Sequence, residues 1–327
     1  MSDDARTPAL PSVEEVATLF APIESRAQLQ RRLGVPPEVV RARLLSEYER
    51  MDPSHVTVTQ APEGPHLAYL RPSPWLSGRL ARPVFQLRHL LGARIEERVT
   101  CLRQALETLH SRAPGALVIA RVPSESVALN QRLPALGLRW VGLELTGVIS
   151  LEQEPEPLPA TLSELPLRFG PLSPACLTQA QEIARSAHAH NHFEYDPLLE
   201  RELARSLFQE QVARHLQSER AQAFGAYLPQ SGGAEELCGF IVANRVDSFV
   251  PFGGPRLANL DFICVSPKRQ LKGLGHALNL TALSWLYHQG VRRVTVRTMV
   301  NNFAAQSILK RVDWRASLAE SVYHLHL

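Results

Sequence analysis

Apolar residues recur at helical spacing in some stretches and alternate in others, and the order of the two patterns predicts an α/β protein. Val13 to Met51 reads as helix, with Leu29, Leu33, Val39, Val40, Leu44 and Leu45 in apolar clusters broken at Gly34 and Pro36-Pro37. Pro37 suits a helix start, where its missing N–H costs nothing. Val56 to Val84 is mixed and strand-containing. Ile95 to Leu109 predicts a helix, Leu117 to Ala120 a buried strand, Leu129 to Leu136 a helix closed by Gly137, and Trp140 to Ile149 another strand. Gln153 to Pro166 carries Pro155, Pro157, Pro159 and Pro166 and reads as a linker. Beyond it, Ser173 to Ala187 and Glu200 to Gln217 are helical. Ala223 to Leu228 and Leu237 to Val242 are strands around the turn Ser231-Gly232-Gly233. Leu257 to Val265 is a strand, and Gly273 to Tyr287 is an amphipathic helix with Leu274, Leu278, Ala282, Trp285 and Leu286 on one face. Val294 to Val296, Ala304 to Val312 and Ser321 to Leu327 predict strand, helix and strand.

A shift of 176 residues overlays two of these stretches. Val118 meets Val294, Arg121 meets Arg297, Ala128 meets Ala304, Leu133 meets Leu309 and Leu138 meets Trp314. Each stretch runs helix–strand–helix–strand, which argues for two related halves. The halves differ before the long helix. The second has Gln270-Leu271-Lys272-Gly273-Leu274-Gly275, whereas the first has Arg94 to Val99, with two carboxylates and no glycine. The expected division is a helical extension over residues 1–55, a first half over 56–152, a Pro-rich linker over 153–167 and a second half over 168–327.

Gln270 to Gly275 follows a strand and opens a helix. Glycines there let backbone N–H groups approach a ligand, and the helix dipole favours an anion. Lys268, Arg269 and Lys272 add positive charge, so a pyrophosphate is the expected guest. The loop is no Walker motif, because no Gly-Lys-Ser/Thr occurs in it.

Composition narrows the choices. The chain has 327 residues, is 45% hydrophobic and 20% charged, and carries a net charge of +3, which gives no electrostatic case for nucleic acid or an anionic membrane. A helix pair around Gly34 is more often a packing unit than a DNA reader. No apolar run reaches membrane-spanning length, and the start lacks a secretory leader pattern, so a cytoplasmic location is expected. Cys101, Cys176, Cys238 and Cys264 are far apart and read as reduced. His188, His190 and His192 alternate, but a helix end entering a loop would splay them, so no metal is expected.

The run Val265-Ser266-Pro267-Lys268-Arg269-Gln270-Leu271-Lys272-Gly273-Leu274-Gly275 resembles the V-x-P-x-x-(Q/R)-x-x-G-x-(G/A) motif of the GNAT superfamily of acyl-CoA-dependent N-acyltransferases. Asn302 and Ala305 resemble its N-x-x-A motif. Asn191 to Pro197, Leu260 to Val265 and Tyr323 to His326 are similar to bacterial sugar-amine acetyltransferases of the dTDP-fucosamine type, in which a partial GNAT-like half lacking the CoA loop precedes a working one. The resemblance implies tandem GNAT-like mixed sheets flanked by helices, with acetyl-CoA as co-substrate and a small primary amine, such as an amino-sugar nucleotide, as acceptor. It implies that Gln270, Leu271, Lys272, Gly273, Leu274, Gly275 and His276 hold the pyrophosphate, that a backbone N–H near Cys264 or Val265 polarises the thioester carbonyl, and that Asn302 holds the pantetheine. His192, Phe193 and Tyr195 would line part of the acceptor site, with Asp261 as the best-placed carboxylate to help deprotonate the amine, directly or through water, and a local capping or pairing role as its alternative. The family's usual acid, a Tyr in the second motif, is Leu309 here, which leaves Tyr323 or His324 as expected substitutes and a catalytically impaired acyl-CoA-binding or partner-binding protein as the alternative.

Overall fold

The computed structural model describes residues 10–19, 24–62, 64–158, 162, 165–187, 190–269 and 271–327. The chain forms two compact units. Unit 1 comprises Met1–Ala27, Pro36–Leu143 and Ala319–Leu327, and unit 2 comprises Gln28–Val35 and Glu144–Leu318.

The predicted helical start resolves into α1 (Val13–Leu19), α2 (Glu24–Leu33) and α3 (Pro37–Glu49), with Pro37 opening the last of them. β1 (Val56–Ala61), β2 (Gly64–Pro72), α4 (Pro74–Leu80), β3 (Val84–Leu91), α5 (Ile95–Arg112), β4 (Leu117–Pro123), α6 (Val127–Arg132) and β5 (Arg139–Ser150) follow. Then come β6 (Arg168–Pro171), α7 (Leu177–Ala187), α8 (Arg201–Leu216), β7 (Ala221–Pro229), β8 (Glu235–Val246) and β9 (Leu257–Val265). α9 (Leu274–His288), β10 (Arg293–Met299), α10 (Phe303–Lys310) and β11 (Arg315–His326) close the order.

In unit 1 the strands run β1-β2-β3-β4-β11, with β3 and β4 parallel and the other neighbours antiparallel. In unit 2 they run β6-β7-β8-β9-β10-β5, with β9 and β10 parallel and the rest antiparallel. Each is a mixed sheet packed with helices. Leu102, Ala105, Leu106 and Leu109 of α5 cover Ala68, Val118 and Ala120 in unit 1. Leu274, Leu278, Ala282 and Leu286 of α9 cover Ala258, Leu260, Val294 and Val296 in unit 2. The opposite face of unit 2 carries Ala180, Ile183 and Ala184 of α7 and Phe208 and Val212 of α8, against Phe240, Phe262 and Cys264.

The internal repeat holds to the residue. Adding 176 to β4 gives β10, and adding it to β5 gives β11. The repeat also fixes an exchange. β4 pairs with β11, as in Val122 opposite Ser321, and β10 pairs with β5, as in Thr298 opposite Leu145. The two pairs are equivalent under the shift. The last strand of each sequence half therefore completes the ladder of the other unit, which covers an edge that would otherwise be exposed. The units divide inside β5 and β11 and not at the Pro-rich stretch. That stretch is packed on unit 2: Glu152 pairs with Arg293 at 2.6 Å, and His288 lies 2.9 Å from Glu154. Residues 154–158 border a cleft of about 520 Å³ with Leu280, Thr281 and Ser284 of α9. β6 and α4 had escaped the pattern because each is short and carries Pro or Gly.

Candidate functional site

Unit 2 parts its own sheet. β9 and β10 pair only over Ala258, Asn259 and Leu260 against Val294, Thr295 and Val296. Both strands run on, held on their outer sides by β8 up to Val265 and by β5 up to Met299. Between residues 261–265 and 297–299 lies a gap edged by backbone. A bulge contributes to the parting: Phe262 faces Val242 and Leu260 faces Ala243, so Asp261 is the extra residue.

The ladder on the β8 side shows which groups face the gap. The N–H of Ser266 donates to the Cys238 carbonyl at 2.8 Å. Alternation along an antiparallel strand then turns Cys264 and Phe262 toward β8, and the N–H and C=O of Val265 and Ile263 toward the gap. Val265, and not Cys264, is thus the residue with a donor aimed there. The Cys264 side chain sits in the α7/α8 core, and full burial pushes its thiol up to about 12, so it stays protonated and inert.

The loop from Ser266 to Gly273 runs from β9 to α9. Gly273 caps the helix at φ +90°, a left-handed conformation that favours glycine. Leu271 N–H donates to the Arg269 carbonyl and Leu274 N–H to the Leu271 carbonyl, so these two are spent inside the loop. Among the described residues, the N–H groups of Lys272, Gly273, Gly275 and His276 have no acceptor. They lie at the positive end of the α9 dipole. The expected set of donors contracts to these four, and Gln270 lies outside the described residues. Arg269 is held by Glu236 through two hydrogen bonds of 2.8 and 3.0 Å, and Lys268 also draws the Glu236 carboxyl down, while among the described residues Lys272 forms no ion pair. A Cβ on Gly275 would come 2.7 Å from Cδ1 of Ile308 on α10, so glycine lets α9 and α10 close together. Burial, then Arg311, lowers the pKa of His276, so its imidazole is neutral.

Asp261 points to the α8 side. Its Oδ2 is 3.9 Å from Nε2 of His215, whose ring also meets Phe262 edge-on. Adjacent residues facing one helix is what the bulge permits and a regular strand does not. Burial pushes the Asp261 carboxyl up, while His215, the Asn244 amide and Arg297 pull it partly back. Burial lowers the pKa of His215, with Asp261 acting against that shift. The result is a carboxylate more basic than usual, beside the gap. Arg297, on β10, lies 3.6 Å from Glu144. His215, Asn244 and Arg297 were not anticipated as parts of this site. No local signal marks them, because a bulge and a helix packing bring them to Asp261.

The stretch between α7 and α8 folds on itself. The side-chain oxygen Oδ1 of Asn191 accepts from the N–H of Phe193 and of Glu194. His192 and Phe193 are buried, with their rings 4.0 Å apart. Tyr195 is different: its hydroxyl lies 2.9 Å from Nδ1 of His190 and accepts from Nδ2 of Asn301 at 2.9 Å. Asn301 follows β10, so Tyr195 stands at the mouth of the gap. His188 lies outside the described residues. Asn302 caps α10, its side-chain oxygen accepting from Ala305 N–H at 3.1 Å, which gives this motif residue a structural task. Leu309 is buried among α9 and sheet residues and brings no hydroxyl. Tyr323 lies in the core of unit 1, where its hydroxyl donates to Oδ1 of Asn130 at 3.0 Å. His324 is likewise a buried residue of unit 1.

Unit 1 repeats the strand geometry without the loop. β3 and β4 stop pairing after Leu87 and Ala120, and a bulge places Arg88 where unit 2 has Asp261. Residues 92–94 alone join β3 to α5, and Glu96 and Glu97 occupy the first turn, where they repel an anion. A Cβ on Gly92 would overlap the buried His66 ring at 1.9 Å. Arg88 is neutralised by Glu47 of α3 at 3.5 Å. His89, then Arg88 and Arg43, hold the Glu47 carboxyl down to about 2. A depressed carboxyl stabilises the fold above its unfolded pKa, and the gain is lost as pH falls toward the folded value. Glu47→Gln is expected to cost ~2 kcal/mol at pH 7, with the difference from the parent vanishing between about pH 4.5 and 2 in chemical-denaturation curves. An equal difference at pH 2.5 and pH 7 would contradict this.

Comparison with known proteins agrees with this geometry. Residues 182–314 match the acetyltransferase (GNAT) family. No curated protein matches the chain. Among solved structures, a GCN5-related N-acetyltransferase from Sphaerobacter thermophilus superposes with a TM-score of 0.62 at 16% identity, over 97% of this chain and 94% of that one. A tandem GNAT protein from the clavulanic acid biosynthesis pathway gives 0.56 at 13% identity, over 96% and 94%. A fungal multi-domain β-N-acetylglucosaminidase with a GCN5-related glucosamine N-acetyltransferase region gives 0.61 at 12% identity, over 96% of this chain and 37% of that one. At such identities the likeness is one of fold. The match to the GNAT acetyltransferase family lies within unit 2, over residues 182–314, and the likeness of fold spans both units.

Proposed function

We propose that unit 2 is an acetyl-CoA-dependent N-acetyltransferase acting on a small primary amine, an amino-sugar nucleotide being one such acceptor. The observation that carries this reading is the parting of β9 from β10 beside four unpaired N–H groups at the start of α9. The pyrophosphate of the co-substrate fits the N–H groups of Lys272, Gly273, Gly275 and His276, with Lys268 and Lys272 alongside. Its acyl-bearing arm enters the gap, where the Val265 N–H stabilises the oxyanion. Asp261 takes the proton of the attacking amine from the α8 side. Asn302 keeps an amide group free for the arm after capping α10. Unit 1, whose long helix opens on Glu96 and Glu97 without a glycine loop, is not the CoA-binding half. The four free cysteines fit a cytoplasmic setting, and among the described residues no helix is long and apolar enough to cross a membrane.

The alternative, an acyl-CoA binder without turnover, draws on Leu309, which offers no proton to a leaving thiolate. One titration and one assay separate the two. Acetyl-CoA is titrated calorimetrically into the protein, and thiol release is followed with a panel of primary amines that includes amino-sugar nucleotides. Binding with amine-dependent release is the expected result. Binding without release from any amine would favour the alternative, and absence of binding would overturn both.

A further inference from the structure

Acyl transfer from a thioester expels a thiolate, and the inference that follows rests on the function proposed above. A thiolate departs faster when an acid protonates it as the C–S bond breaks. Unit 2 contains three tyrosines, Tyr195, Tyr227 and Tyr287. Tyr227 is fully buried, its hydroxyl donating to the Pro171 carbonyl and accepting from Ser173 N–H. Tyr287 lies in the last turn of α9 with the Arg292 guanidinium 4.3 Å over its ring, at the opposite end of the helix from the loop. The Cys264 thiol is sealed in the α7/α8 core. His215 faces Asp261, on the side where the amine loses its proton. Tyr195 alone among these holds an acidic hydrogen at the mouth of the gap.

Its hydrogen bonds suit that task. The Asn301 amide donates to Oη and so fixes the oxygen beside the end of β10. With that lone pair used, the phenolic O–H is directed elsewhere, and its near partner is Nδ1 of His190. His190 is exposed, so its ring joins Oη to bulk water. We propose that Tyr195 is the general acid for the departing thiolate, with His190 restoring its proton from solvent and Asn301 as the positioning residue. The amine nitrogen bonds to the carbonyl carbon and gives a proton to Asp261. As the C–S bond breaks, its electron pair goes to sulfur, which takes the Tyr195 proton. The phenolate regains a proton through His190, and Asp261 releases its own to water.

The test compares two acyl donors on the intact chain, acetyl-CoA and its selenoester analogue, whose selenol is the stronger acid and leaves without help. Hydroxylamine serves as the nucleophile, and acetyl-CoA binding is measured separately. Tyr195→Phe is expected to slow release from the thioester by about 10²-fold or more, and from the selenoester by less than about tenfold, with acetyl-CoA affinity unchanged. Asn301→Ala is expected to show a weaker form of the same selective loss. Equal losses on both donors, or no loss on either, would overturn the assignment. Acetyl-CoA binding without any release by the parent protein would overturn it too, while absence of binding would instead sink the function on which it rests.

Discussion

Acetyl-CoA affinity is expected to fall by a hundredfold or more when Gly275 becomes glutamate. Gly275 supplies one of the four unpaired N–H groups, at the positive end of α9. A carboxylate there meets the helix dipole itself and repels a pyrophosphate. Hydrogen bonds to a charged group contribute roughly 1.5–3 kcal/mol each, so forfeiting two of them costs about 3 kcal/mol or more, which is a factor of a hundred or above. The control is Gly275→Ala. Its Cβ meets only the tip of the Ile308 side chain, which can turn aside, so the alanine variant is expected to keep most of the affinity and to melt slightly lower. Calorimetric titration of both variants decides the matter. Should the glutamate variant bind acetyl-CoA as the parent does, the loop is not the anion site.

The second large effect belongs to Asp261. Asp261→Asn is expected to lower kcat by about 10²–10⁴ and leave acetyl-CoA affinity within a factor of about two. The base works only when ionised, and burial has raised its pKa. Activity of the parent is therefore present above that raised value and lost as pH falls through it, and this acid limb of kcat/KM disappears in the variant. Stability runs the other way. A carboxyl with a raised folded pKa favours folding below its unfolded value, and that contribution fades as pH rises through the folded one. Above that raised value the parent carries a buried ionised carboxylate that the asparagine variant lacks. The variant is expected to melt at the same temperature or higher, which separates lost catalysis from lost structure. A variant that stays folded and keeps its kcat would remove Asp261 from the mechanism.

Much of the fold was legible because the period of apolar residues is local information. The strand over Leu257–Val265 and the exact offset between β4 and β10 followed from it. The glycine loop was legible for a similar reason, since a left-handed cap favours glycine in sequence as in space. The partners of Asp261 were not. His215 and Asn244 come from separate elements, and only the bulge in β9 turns Asp261 toward both. The surroundings of Tyr323 were not legible either. Its place in the order of elements put it with the second half, whereas β11 inserts beside β4 and carries it into unit 1. Pattern along a chain identifies strands, but not the neighbours that a crossing strand acquires.

That crossing sets a timetable for the nascent chain. Residues 36–143 emerge from the ribosome long before residues 319–327, yet β4 waits for those later residues to fill its open side. Unit 1 stays unfinished through most of synthesis, and unit 2 receives Glu144–Ser150 early and can close before it. The half that is made first is completed last, so a fragment ending after β5 would leave one frame without its final strand and offer that edge to any passing chain.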